Sequence, residues 1–156
     1  MKSFKFLTFA LAFFTLSASY AQDASESVTD EELRKYAVVM DSVDHMSKNL
    51  LETITELVMS NDQISAARYN DLNKIIDDEA KLKEAEATPE EIAAVKEVVK
   101  RKEEETAKIQ EIFMTLATEY VGAATYNKVK KALGSDPDTK TRYEAILAEL
   151  TKDNSN

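Results

Sequence analysis

A chain of 156 residues carries 29 acidic against 20 basic side chains, a net charge of −9, with one histidine, no cysteine and no tryptophan. That acidity excludes a binder of the nucleic-acid backbone, which needs clustered Lys and Arg, and it disfavours anionic membrane surfaces. Without cysteine there is no disulfide framework, no thiol catalysis and no acylated-Cys anchor.

Lys2 and Lys5 precede an apolar run from Phe6 to Leu16 that is broken only by Thr8 and Thr15. Ser19-Tyr20-Ala21 then forms a small-x-small site ahead of Gln22. This is the layout of a secretory signal peptide over residues 1–21, and the apolar stretch is too short for a comfortable membrane span. Cleavage removes Lys2 and Lys5 and no acid, so the net charge of −9 falls by two, to −11. Five of the six phenylalanines leave with the leader, so Leu, Ile, Val, Met, Ala and a few tyrosines must build the core around Phe113. After cleavage no apolar run approaches membrane length, and the expected location is the periplasm or the extracellular space, in soluble form.

Residues 22–28 read as a disordered lead-in, being polar and small. Thr29-Asp30-Glu31-Glu32 is a capping box, in which hydroxyl and carboxylate each satisfy an orphan amide. From there Leu33, Tyr36, Met40, Val43, Leu50, Ile54 and Leu57 recur in steps of three and four, interrupted at Ser47. The spacing predicts a helix from about Asp30 to Ser60, packed along a narrow seam. The first half is expected to continue as one helix through Leu72, Ile75, Ile76 and Leu82 to about Glu86.

A second capping box, Thr88-Pro89-Glu90-Glu91, stands 59 positions after the first. Ile92, Val95, Val99, Lys102, Ile109, Phe113 and Leu116 follow in matching register, with Thr106 in the place of Ser47. Lys102 takes the place of Val43, its stem lying along the seam while the ammonium reaches water. After a slip of two, Ile64 to Asn70 matches Val121 to Asn127 through a shared Ala-Ala-x-Tyr-Asn, which suggests a close helix approach with an aromatic wedge. The shared cap, seam, polar break and Tyr-Asn element point to tandem duplication, residues 29–87 and 88–151. Gly134 reads as a left-handed helix cap, and Asp136-Pro137 starts a last helix bearing Tyr143, Ile146, Leu147 and Leu150. Residues 152–156 form a polar tail. The expected fold is all-α, an antiparallel bundle of about four long helices, the last broken near Gly134–Pro137.

Tyr126-Asn127-Lys128-Val129, Ala132 to Pro137 and Arg142-Tyr143, together with Glu31-Glu32-Leu33-Arg34-Lys35-Tyr36-Ala37, carry a resemblance. They are similar to a bacterial family of short, exported helical proteins, the domain of unknown function 4168. The resemblance covers both ends of the chain after the leader and little of its middle. Thr139 departs from the Leu usual after Ser-Asp-Pro-x, which weakens the expected docking of the last helix. The resemblance implies an exported helical domain and transfers no catalytic residue.

His45, the sole histidine, has Asp41 one turn before it and Asp44 beside it. Asp41 and His45 make half a metal site at most, and a structural site wants three or four ligands, so a solvated surface pair is the expected outcome. Asp77–Glu79 and Glu103–Glu105 alternate with bases at helical spacing (Asp77 to Lys81, Glu79 to Lys83, Lys100 to Glu104, Arg101 to Glu105), the pattern of a solvated face. Asp136-Pro137-Asp138 and Asn61-Asp62-Gln63 lack the glycine, length and distal Glu of a calcium loop. Two glycines cannot supply a nucleophile elbow, a phosphate loop or a dinucleotide fingerprint. Ser47 and Thr106, polar residues in the seam, either bond a carbonyl one turn back or face each other and set helix register.

No catalytic, cofactor-binding or metal-binding residue is therefore assigned. The expected function is non-enzymatic: an exported helical module that binds protein or envelope components, with Met40, Met46, Met59 and Met114 as core or adaptable contacts. The alternative is an amphiphile-binding or chaperone-like helical protein. Long seamed helices also permit homo-oligomers.

Overall fold

The computed structural model describes residues 27–153. The leader, its cleavage site, residues 22–26 of the lead-in and residues 154–156 of the tail lie outside the described residues. The described chain is all-helical, with no strand. Helices α1 (Asp30–Met59), α2 (Ala66–Asn73), α3 (Glu79–Glu84) and α4 (Pro89–Thr115) come first. A π-helical segment (Leu116–Gly122), α5 (Ala123–Ser135) and α6 (Pro137–Asp153) complete the chain.

Both capping boxes form. The Thr29 hydroxyl accepts from the Glu32 amide at 3.2 Å while Glu32 accepts from the Thr29 amide at 2.8 Å. Thr88 and Glu91 repeat the exchange at 3.2 and 3.0 Å, with Pro89 in the first turn of α4, where its missing N–H costs nothing. At ~1.5 Å per residue α1 is about 45 Å long, and α4 runs back beside it. The direction follows from the packing: the start of α1 meets the segment after α4, and the end of α1 meets the start of α4.

Three apolar clusters lie along this pair. At one end Val28, Leu33, Tyr36 and Val39 pack with Ala117, Val121, Tyr126 and Val129. At the other, Val58, Ile64, Tyr69, Leu72 and Leu82 pack with Ala94, Val95 and Val98. Between them Val43, Leu50 and Ile109 make a slender waist, with Met46, Ile54 and Phe113 against it. Helix α6 lies along the first part of α1, tied by Arg34 to Glu149 at 2.9 Å and by Arg142 to Asp30.

Several local expectations are corrected. Val28 is not part of a loose lead-in: it is buried, and its carbonyl accepts from Arg142 at 3.0 Å. Leu57 is 39% exposed, and Val58 takes the seam position instead, because the turn after Met59 sets which face of the last turn meets α2 and α4. The first half is not one helix to Glu86. Helix α2 ends at Asn73, two three-residue turns follow (Ile75 N–H to Leu72 at 3.0 Å, Asp78 N–H to Ile75 at 2.9 Å), and Asp78 caps α3 by accepting from Lys81. Asn70, Asn73, Asp77 and Asp78 favour local side-chain bonds over helix, and that preference outweighs the apolar spacing.

Gly134 is not a left-handed cap. It sits exposed within α5, which runs on to Ser135. The positive φ falls at Gly122, +90°, where the π-helical turns end and α5 begins in a new direction. Glu86 is the other left-handed residue, at φ +51°. It closes α3 in a Schellman turn, with Glu86 N–H to Lys83 at 3.1 Å and Ala87 N–H to Leu82 at 3.0 Å. The last helix starts as expected: Asp136 accepts from the Asp138 amide at 3.1 Å. Thr139, far from weakening the docking, is 3% exposed and donates its hydroxyl to Asp136.

Candidate functional surfaces

His45 is exposed on α1, away from the seam. Its neighbour Asp44 is engaged by Lys48 at 2.6 Å, and the charge of half-buried Asp41 adds to the effect of burial in raising the Tyr143 phenol. No group of three or more potential metal ligands is gathered among the described residues. Of the expected surface pairs, Lys100–Glu104 at 3.8 Å and Arg101–Glu105 at 3.1 Å form. Lys81 pairs with Asp78 at 2.8 Å rather than with Asp77, because α3 starts afresh at Glu79 after the Asp78 cap and leaves Asp77 outside the helix. Ser47 donates to the Val43 carbonyl at 2.8 Å, so its hydroxyl is satisfied within its own helix.

Two polar braces escaped the sequence reading. Lys128 of α5 donates to both oxygens of Glu32 at 3.0 Å. Arg68 of α2 grips Glu91 with two bonds, at 2.9 and 3.0 Å, and donates a third to the Ala85 carbonyl at 2.8 Å. Each capping glutamate therefore serves twice, holding a helix start and receiving a cation from the opposite half of the chain. Burial pushes the Glu32 carboxyl up, but the Thr29 amide and Lys128 outweigh it and hold it below the ordinary carboxylate range. Glu91 is held low first by Arg68 and then by the Thr88 amide. The signal in sequence was the pair of boxes; no local pattern names the residue that answers each.

The tyrosines form the third feature. Tyr36 sits with its ring 5.1 Å from Tyr126 and 5.8 Å, edge-on, from Tyr143, while Phe113 meets Tyr126 edge-on at 5.7 Å. Burial, then the Tyr126 hydroxyl, pushes Tyr36 far above the usual phenol range. Burial raises Tyr69 and Tyr126 as well, and burial with Asp41 raises Tyr143. These phenols stay neutral at ordinary pH, and their ring contacts join α1, α4, α5 and α6. Tyr69 and Tyr126 are the expected wedges, yet Ala66, Ala67, Ala123 and Ala124 beside them are exposed and mediate no close helix approach.

Two open surfaces remain. A cleft of about 570 Å³ among the turns before α3, α3 itself and the start of α4 is floored by Ile76, Leu82, Ala87 and Ile92, with Lys83 and Lys96 at its rim beside Asp77 and Glu79. A groove of about 500 Å³ runs between α1 and α4 over Leu57 and Val98, edged by Glu97, Arg101 and Glu104. Leu51 (56% exposed) and Ile112 (43%) extend the exposed apolar surface along the same two helices. Two helices alone cannot bury both flanks of a seam, which is why the waist leaves these side chains in water. No helix among the described residues is long and apolar enough to cross a membrane. Compared with protein-family models, curated proteins and solved structures, the chain matches none.

Proposed function

We propose that this is an exported, non-enzymatic helical protein that binds a protein or an envelope component, acting after removal of residues 1–21. The observation that carries the reading is the open groove between α1 and α4, with Leu57 and Val98 on its floor and mixed charges along its edges. An apolar floor supplies affinity and an alternating charged rim supplies register, the arrangement that a partner helix exploits. The leader-like N-terminus supports export. Crosslinking of the tagged protein in its native cells, followed by mass spectrometry of what co-purifies, tests the proposal. A single reproducible partner whose capture is lost in Leu57→Asp supports it; recovery of nothing beyond the protein itself overturns it.

A second reading, amphiphile binding, draws on the cleft at the other side of α4. An apolar floor of Ile76, Leu82 and Ile92 beneath the Lys83 and Lys96 ammonium groups suits a chain with an anionic head. Co-sedimentation with neutral and with anionic vesicles separates the readings: retention on either favours the amphiphile, whereas protein capture without retention favours the groove.

A further inference from the structure

We propose that a second copy of this chain is a binding partner, joined by exchange of halves about the Ala85–Thr88 link into a two-fold dimer. Each apolar cluster is assembled from both halves. Leu33, Tyr36 and Val39 of the first meet Val121, Tyr126 and Val129 of the second; Val58, Ile64 and Leu72 meet Val95 and Val98; Val43 and Leu50 meet Ile109. The two braces cross in the same manner, Lys128 to Glu32 and Arg68 to Glu91. A half taken from another copy offers the same side chains, so exchange conserves these contacts and needs no new surface.

What exchange alters is the link. Only Ala85, Glu86, Ala87 and Thr88 separate α3 from α4. Glu86 is the sole non-glycine residue with positive φ among the described residues. That conformation brings Cβ against the following carbonyl and is costly for glutamate. Opening the link relieves the cost twice in a dimer, while the contacts between halves are re-formed. A short, strained connection between mutually completing halves is the arrangement that favours swapping. This exchange stands independently of the exported binding role.

The test uses the unaltered protein. Unlabelled and heavy-nitrogen-labelled samples are unfolded together, refolded at millimolar concentration, separated by size and treated with a carbodiimide. That reagent joins a carboxylate to an amine in contact, as Glu32 and Lys128 are at 3.0 Å, with both side chains about a quarter exposed. The dimer fraction is expected to yield Glu32–Lys128 peptides of which about half pair a light chain with a heavy one, the random-mixing fraction for a two-fold exchange. The monomer fraction yields same-isotope pairs alone. Absence of a dimer, or a dimer with same-isotope pairs alone, overturns the proposal. Glu86→Gly removes the strain and is expected to weaken dimerisation about fivefold per link, about 25-fold for two. An unchanged dimer in that variant overturns the role of the link.

Discussion

The two ends of the α1–α4 pair share one polar frame and fill it differently. At each, a Thr-Glu box starts a long helix and its glutamate takes a cation from the opposite half. The first end gathers α1, α5 and α6, and rings span the space between the three helices: Tyr36, Tyr126 and Tyr143, with Phe113 behind. The second gathers α4 with the short α2, which approaches it closely, and with α3, and there the aliphatic Val95, Val98, Leu72 and Leu82 fill the space. Val95 occupies the register position of Tyr36, so one site in the pattern takes an aromatic or an aliphatic side chain according to how many long helices meet there. The repeated element is the cap and its brace, not the core.

Core truncation is the harshest way to break this comparison. Tyr36→Ala removes the ring that touches two others and should cost about 3–5 kcal/mol, against about 2 kcal/mol for Val95→Ala. Urea denaturation of the two variants measures both, and equal losses would mean that the ends are energetically alike after all. The two glycines sharpen it next, with opposite signs. Gly122→Ala must hold φ +90° with a Cβ and should lose about 1 kcal/mol, although the Cβ itself meets nothing closer than Thr125 Oγ1 at 3.9 Å. Gly134→Ala gains helix propensity in open space and should stabilise by about 0.5–1 kcal/mol. Two thermal melts suffice, and a destabilised Gly134 variant would restore its expected role as a cap.

The braces should separate more gently. Arg68→Met removes two bonds to Glu91 and one to the Ala85 carbonyl, while Lys128→Met removes the two to Glu32, so the arginine variant should lose more of its denaturation midpoint. Both losses should stay well below that of Tyr36→Ala, since both pairs are partly solvated. The smallest effect is that of protons near neutrality. Glu32 and Glu91 are held low in the fold, so their contribution is full above the ordinary carboxylate pKa and fades as pH falls through the lowered values. The buried phenols are raised, so their contribution is full below about pH 10 and fades as pH rises above it. Melting temperature against pH should form a plateau with an acid shoulder that flattens in the Arg68→Met, Lys128→Met double variant.

Much of this was legible from local chemistry. Thr29-x-x-Glu32 and Thr88-x-x-Glu91 name their helix starts because a cap is satisfied within four residues. The three-and-four spacing names the faces of α1 and α4, and the absence of two-residue alternation excludes strands. His45 and Asp44 lie on a solvated face for the same reason, one helix's register, whereas Asp41 is half-buried near Tyr143. Where those readings failed, partners distant in sequence decided. Leu72, Ile75, Ile76 and Leu82 lie at helical spacing, yet Asp78 starts a new helix that lets Leu82 and Leu72 meet Val95 on α4.

The sequence by itself therefore determined that the described chain is helical, where its two long helices begin and which stripes they bury, because those properties depend on neighbours within a turn or two. Only the tertiary structure decided that Lys128 and Arg68 answer the capping glutamates, that Gly122 rather than Gly134 turns the chain, and that Val28 and Thr139 are buried. Those outcomes depend on which surfaces the folded helices bring together, and the energy of a contact between distant segments leaves no periodic trace in either one.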